Sequence, residues 1–179
     1  MRFHPLRLRR WLALLCLALL AAAAAAQKPP AAAVATAHPL ATTAARDIRQ
    51  AGGNAFDAAV AASAALAVVE PYSSGIGGGG FWLLHRAEDG LQIMIDGREV
   101  APRAATPDMY LAADDGIRQR ASRDGALAAA IPGAPAAWAH IAERYGRLSL
   151  AQSLAPAIRL AREGFAVDEF YQRMVRLRL

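Results

Sequence analysis

Cysteine is almost absent from this chain. Its 179 residues hold one, Cys16, inside an apolar run near the start. Beyond that run there is no disulfide framework, no thiolate nucleophile and no cysteine-based metal site. Histidine is nearly as scarce: His38 and His85 lie far apart, and His140 stands alone in a helical segment. None has metal-ligand spacing, so neither a metal nor a cofactor is expected. Aromatic residues make up 7%, and no clustered Lys/Arg stripe interleaves with them, which argues against a nucleic-acid partner. Ser73-Ser74 is not framed by a G-x-S-x-G elbow, so the pair reads as a cap or turn rather than a nucleophile. No catalytic residue is assigned within the chain.

What is present at the start is a targeting pattern. Arg2, Arg7, Arg9 and Arg10 form a basic region, Trp11 to Leu20 is apolar throughout, and Ala21 to Ala26 offers small residues for cleavage before Gln27. That is the layout of a secretory signal peptide over 1–26, and it implies a periplasmic or secreted protein. A membrane anchor is the competing reading. The dense apolar core spans ten residues against the roughly 20 needed to cross a bilayer, although the alanine run would lengthen it. A lipoprotein would need a small residue before Cys16, where Leu15 stands.

The leader also explains the charge. It carries four of the 20 basic residues and none of the 15 acidic ones, so the remainder is 16 minus 15, or +1. The basic balance is a targeting feature and gives no support to nucleic-acid binding. Residues 27–37 are rich in Ala and Pro and read as a linker. Residues 38–179 are long enough for one core. The chain stops inside the amphipathic run Val175-Arg-Leu-Arg-Leu179 with no stop signal, so a truncated chain is expected.

The body alternates helical and strand-like patterns. A helix over Leu40 to Ala51 is stopped by Gly52-Gly53. Asn54 is a good N-cap, and Asp57 complements the dipole of the helix Ala55 to Val69. That helix is nearly all alanine and valine, so it should be buried on most sides. Phe81 to His85 and Leu91 to Ile95 form a hairpin about Ala87-Glu-Asp-Gly90. Both strands are apolar at most positions, which predicts a sheet covered on both faces and a core position for His85. Gly97 to Gly125 is loop-rich, with room for a helical turn around Asp108 to Leu111. Pro135 opens a helix that Gly146 ends, and Ser149 with Gln152 makes a capping box for another. Pro156 should kink or restart that last helix.

The chemistry-bearing stretch is Gly75 to Gly80, in which five of six positions are glycine, followed beyond the hairpin by Arg98. Glycine loses more backbone entropy on folding than any other residue, so a run this dense points to close approach of backbone to something. A flexible or tight connection before the hairpin is the plainer alternative. Gly75-Ile-Gly77-Gly-Gly-Gly80 matches G-x-G-x-x-G literally, but it follows a helix and opens a strand, the reverse of the dinucleotide fingerprint. It also lacks the Lys-Ser/Thr of a P-loop. Arg98 ends a strand, where a fixed guanidinium can hold a carboxylate in a bidentate fork. An Arg98–Glu99 ion pair in solvent is the competing account of the same residue.

Six stretches together resemble the N-terminal part of the γ-glutamyltranspeptidase family. They are Ala33-Val-Ala-Thr-Ala-His-Pro-Leu-Ala-Thr42, Ala51-Gly-Gly-Asn-Ala-Phe-Asp-Ala-Ala-Val60, Ser74-Gly-Ile-Gly-Gly-Gly-Gly-Phe81, Asp96-Gly-Arg-Glu-Val-Ala-Pro102, Ala129-Ala-Ile-Pro-Gly133 and Leu160-Ala-Arg-Glu-Gly-Phe165. The resemblance implies an α/β (α+β) fold, the αββα sandwich of N-terminal-nucleophile hydrolases, with only its N-terminal portion present. It implies a precursor that cuts itself into a large and a small subunit. The threonine that then leads the small subunit attacks the γ-glutamyl amide of glutathione or a similar donor. The γ-glutamyl-enzyme passes its acyl group to water, an amino acid or a peptide. The threonine's own amine is the natural base. Arg98 matches the arginine that binds the donor's α-carboxylate. The nucleophilic threonine and the small subunit lie outside these 179 residues, so the isolated chain is expected to be inactive. A cephalosporin-acylase-like amidohydrolase, a poly-γ-glutamate transpeptidase and an inactive secreted fragment are the rival readings.

Overall fold

Local signals place the helices where the side chains can close their ends. The computed structural model describes Cys16, residues 32–114 and residues 116–177. The expected signal peptide, apart from Cys16, the first part of the linker and the last two residues lie outside the described residues. The chain divides into two units between Ala33 and Val34, and the elements below belong to the second. Helix α1, Pro39–Gln50, starts at His38, whose Nδ1 accepts the Leu40 N–H at 3.1 Å. Helix α2, Ala55–Val69, opens on a reciprocal cap: Asn54 accepts from the N–H groups of Phe56 and Asp57, and Asp57 accepts from Asn54. A four-residue helix α3, Pro71–Ser74, follows and contains both serines.

Helix α2 is the floor of the molecule. Its alanines and valines let α1, α4 (Ala134–Tyr145) and α5 (Leu150–Glu163) pack against it. Every residue from Phe56 to Val69 is at least half-buried, as a helix with almost no polar face requires. Val60, Val69 and Ile141 are wholly enclosed, and each such side chain stabilises by roughly 1.5–3 kcal/mol relative to exposure. Ser149 and Gln152 cap α5 reciprocally. Pro156 does not restart the helix, since α5 runs unbroken through it. It costs one backbone bond, and Pro156 is buried. The last helix, α6, spans Glu169–Arg176 and is capped by Asp168.

Strands β1, Phe81–Arg86, and β2, Leu91–Asp96, form an antiparallel pair with Leu84 opposite Ile93. On one face Trp82, Leu84, Ile93 and Ile95 pack into the helical core. The other face is bare. Phe81, Leu83 and Met94 are exposed on it, Leu83 by 71%. The expectation of a sheet covered on both faces therefore fails within this chain. His85 is on the same bare face and exposed, not in the core. The loop from residue 97 to 131 is held by two isolated bridges, Val100 with Ile131 and Leu111 with Ile117. Around Asp108 to Leu111 it forms hydrogen-bonded turns and not a helix. Among the described residues no helix is long and apolar enough to cross a membrane.

Candidate functional site

Three stretches of main chain remote in sequence meet at Arg98. Gly97 and Gly80 exchange backbone hydrogen bonds of 3.0 and 3.3 Å, and Val100 and Ile131 exchange bonds of 3.2 and 2.9 Å. Thus Gly97 to Val100 is tied to the glycine run at one end and to the entry of α4 at the other. The third side closes through Gly78, whose carbonyl accepts the N–H groups of Gly133 and Ala134 at 3.2 Å each. That carbonyl caps α4, which has no side-chain cap of its own.

Two glycines permit this. A methyl group on Gly79 would strike the backbone of Gly97, Arg98 and Glu99, and one on Gly133 would strike the carbonyls of Gly97 and Arg98. The dense glycine run therefore serves close approach in part, and what it approaches is another stretch of this chain's own backbone. Gly77 has open space where a methyl would sit, so that position is not held by contact.

Arg98 is fixed at its main chain and open at its tip. Its N–H donates to Asp96 Oδ1 at 3.0 Å, and its Nε donates to Glu99 Oε1 at 3.3 Å. The Arg98 side chain is 61% exposed, so this ion pair is weak in water. The Glu99 carboxyl is held below its ordinary value, first by its own backbone N–H and then by Arg98. Among the described residues the two terminal nitrogens of Arg98 have no partner. Arg98 also lines a hollow of about 480 Å³, together with Met94, Asp96, Gly97, Gly133 and His140. A second hollow of about 480 Å³ runs along the glycines, with Ser63, Tyr72, Ser73, Trp82 and Trp138 on its walls and no charged side chain. The glycine run and Arg98 thus share main-chain contacts but open into different hollows. Among the described residues no group of three or more His, Cys, Asp or Glu could hold a metal ion.

Two features escape sequence reasoning. Asp57, legible as a helix-start residue, is fully buried and also accepts the N–H groups of Arg147 and Leu148 at 2.9 and 3.3 Å. Asn54 Nδ2 donates to the Tyr145 carbonyl at 2.5 Å. Together they pin the start of α2 to the end of α4, the helix that borders Arg98. A lone acid in an alanine helix was the available signal. The second feature is a chain of rings: His38 meets Phe165, Phe165 meets Tyr171, and Tyr171 and Phe170 both meet Tyr72. It joins α6 to α3 at the mouth of the glycine run. Partial burial, then the charges of Glu70 and Asp168, push the Tyr72 hydroxyl up.

Helices layered on one face of an antiparallel hairpin define an α+β partial domain, and solved structures place it within the N-terminal-nucleophile hydrolases. The chain superposes on Helicobacter pylori γ-glutamyltranspeptidase with a TM-score of 0.79 and 38% identity, over 84% of this chain and 43% of that one. The γ-glutamyltranspeptidase family model matches residues 41–178, and the chain belongs to that family. It is 47% identical over 147 residues to the acylase ACY 1 proenzyme of Pseudomonas sp. (strain V22), covering 78% of this chain and 26% of the proenzyme. It is 42% identical over 134 residues to the glutathione hydrolase proenzyme of Pseudomonas sp. (strain A14), covering 75% and 23%. The chain spans about a quarter of the length of these curated relatives.

Proposed function

We propose that this chain supplies the donor-carboxylate site of a γ-glutamyl-transferring or γ-glutamyl-hydrolysing enzyme. The observation that carries the reading is Arg98, main chain fixed and terminal nitrogens unspent, at the rim of a hollow. A guanidinium left open in this way can take an α-carboxylate on two parallel N–H bonds. Glutathione or a related γ-glutamyl compound is the donor, and water, an amino acid or a peptide is the acceptor. A threonine outside these residues, leading a small subunit cut from the same precursor, forms the γ-glutamyl-enzyme. The leader 1–26 sends the protein to the periplasm or outside the cell.

A second reading has an observation of its own. The acylase ACY 1 proenzyme shares 47% identity with the chain, against 42% for the glutathione hydrolase of Pseudomonas sp. (strain A14). An amide-cleaving acylase with another acyl group would use the same scaffold, and the donor decides between them.

The experiment takes two preparations. The purified chain should release no amine from a γ-glutamyl anilide above a heat-killed control, because it carries no nucleophile for the step. In a hybrid, residues 41–178 replace the matching part of the Pseudomonas sp. (strain A14) glutathione hydrolase proenzyme, and γ-glutamyl turnover is followed. Arg98→Lys keeps the charge and loses the fork, which costs about 2 kcal/mol or more, so kcat/KM should fall roughly 30-fold or more. Donors without an α-carboxylate should be hydrolysed alike by both forms, and self-cleavage should be spared. Equal kcat/KM on γ-glutamyl donors would reduce Arg98 to a surface partner of Glu99.

A further inference from the structure

We infer that Gly79 and Gly133 are positioning residues for Arg98, acting through the main chain on where its guanidinium is presented beside the hollow. The inference rests on the reading of Arg98 as a carboxylate anchor. An arginine side chain is long, and its tip can be presented in one place only if its own backbone is held. Here the holding is unusually complete. The N–H of Arg98 is taken by Asp96, Gly97 is bonded through both its N–H and its carbonyl to Gly80, and Val100 through both to Ile131.

The closeness of the three stretches depends on missing side chains: Gly97 itself has no room for a methyl against Ala137 and Trp82, and Gly79 and Gly133 have none against the Arg98 stretch. At Gly79 and at Gly133 the atoms a methyl would meet are backbone atoms of residues 97 to 99, not the ends of flexible side chains. Relief needs a shift of main chain, either the glycine's own stretch or the one that carries Arg98, and both change how the two stretches meet. The contrast is Gly77, two residues away in the same run, where a methyl meets nothing within 4 Å. If the run served flexibility alone, the two positions would respond alike. If it serves approach, they will differ.

The test uses the hybrid precursor and a γ-glutamyl anilide. Gly79→Ala and Gly133→Ala should each raise KM tenfold or more with a smaller change in kcat, while Gly77→Ala stays within twofold. In an Arg98→Ala background, Gly79→Ala should add no further loss, because a positioning residue has nothing left to position. Asp96→Ala removes the bond to the Arg98 N–H from an exposed side chain and gives a milder KM rise in a protein that still folds. A second measurement needs no activity. In the chain itself, amide hydrogen exchange at Arg98 and Val100 should quicken tenfold or more in Gly79→Ala, while α2 amides stay unchanged. Equal losses with and without Arg98, equal damage from Gly77→Ala, or unchanged exchange at Arg98 and Val100 would each overturn the inference. Failure of the underlying reading looks different: Arg98→Ala alone would then leave KM where it was.

Discussion

Asp57 and Arg98 are both charged residues held by backbone, and they sit in opposite situations. Asp57, in the first turn of α2, has no exposed surface, and the N–H groups of Asn54, Arg147 and Leu148 donate to its carboxylate. Arg98 stands at the open end of the hairpin with a long ion pair to its neighbour and, among the described residues, no partner for its two terminal nitrogens. Arg86, at the closed end of the same hairpin, calibrates the difference. Its guanidinium is held by Asp89 on two parallel bonds of 2.9 and 2.6 Å. A charge whose bonding capacity is used inside the chain is architecture. A charge whose backbone is fixed and whose tip is unspent is available to a ligand.

The largest expected effect breaks the comparison at the buried end. Asp57→Ala strands the amides of Arg147 and Leu148 without an acceptor, and loss of a charged hydrogen-bond partner in the interior should destabilise by roughly 3 kcal/mol. Arg98→Ala, on an exposed side chain, should stay within about 0.5 kcal/mol in the same urea titration. Similar losses for the two would erase the distinction drawn here.

A smaller effect concerns the two faces of the hairpin. The purified chain should bind an apolar dye and associate at high concentration, since Phe81, Leu83 and Met94 form a bare patch beside unpaired strand edges. Leu83→Glu should lower dye binding and association with a stability change of about 0.5 kcal/mol or less. A monomeric wild-type chain without dye binding, by light scattering and fluorescence, would show that the outer face is not sticky.

The smallest effect is one titration. The Asp89 carboxyl is held down to about 2, first by the Arg86 side chain and then by the Leu91 N–H. Its folded value lies below the ordinary 3.8, so whatever it contributes is complete above the ordinary value and is lost as pH falls from there to about 2. A carboxyl carbon shift followed by NMR should show a midpoint near the lower value. A midpoint at the ordinary value would mean that the turn's ion pair does not persist in solution.

Much of the fold was legible from the chain, and the reasons are local. Helix α2 begins and ends where Asn54 and Glu70-Pro71 say it should, because an unpaired N–H at a helix start can be met by a side chain three residues away. The hairpin turn falls on Ala87 to Gly90, with Gly90 at a φ of 72°, a conformation that glycine adopts without strain. The misreadings are equally physical. Apolar strands suggest two covered faces, but a strand pattern does not say whether the covering layer lies in these residues. Pro156 allows a restart of the helix, yet the helix runs on through it with the proline buried.

The sequence by itself determined the main helix starts, the hairpin and the family, because caps, turns and motif order are written in residues close together along the chain, and it singled out Arg98 as a candidate. Only the tertiary structure decided that Asp57 pins α2 to the end of α4, that His85 and Leu83 share a bare face, and that Gly79 and Gly133 press on the backbone of Arg98. The first and third join residues remote along the chain, and the second depends on which face of the hairpin the helices cover, so all three exist only once the chain has closed.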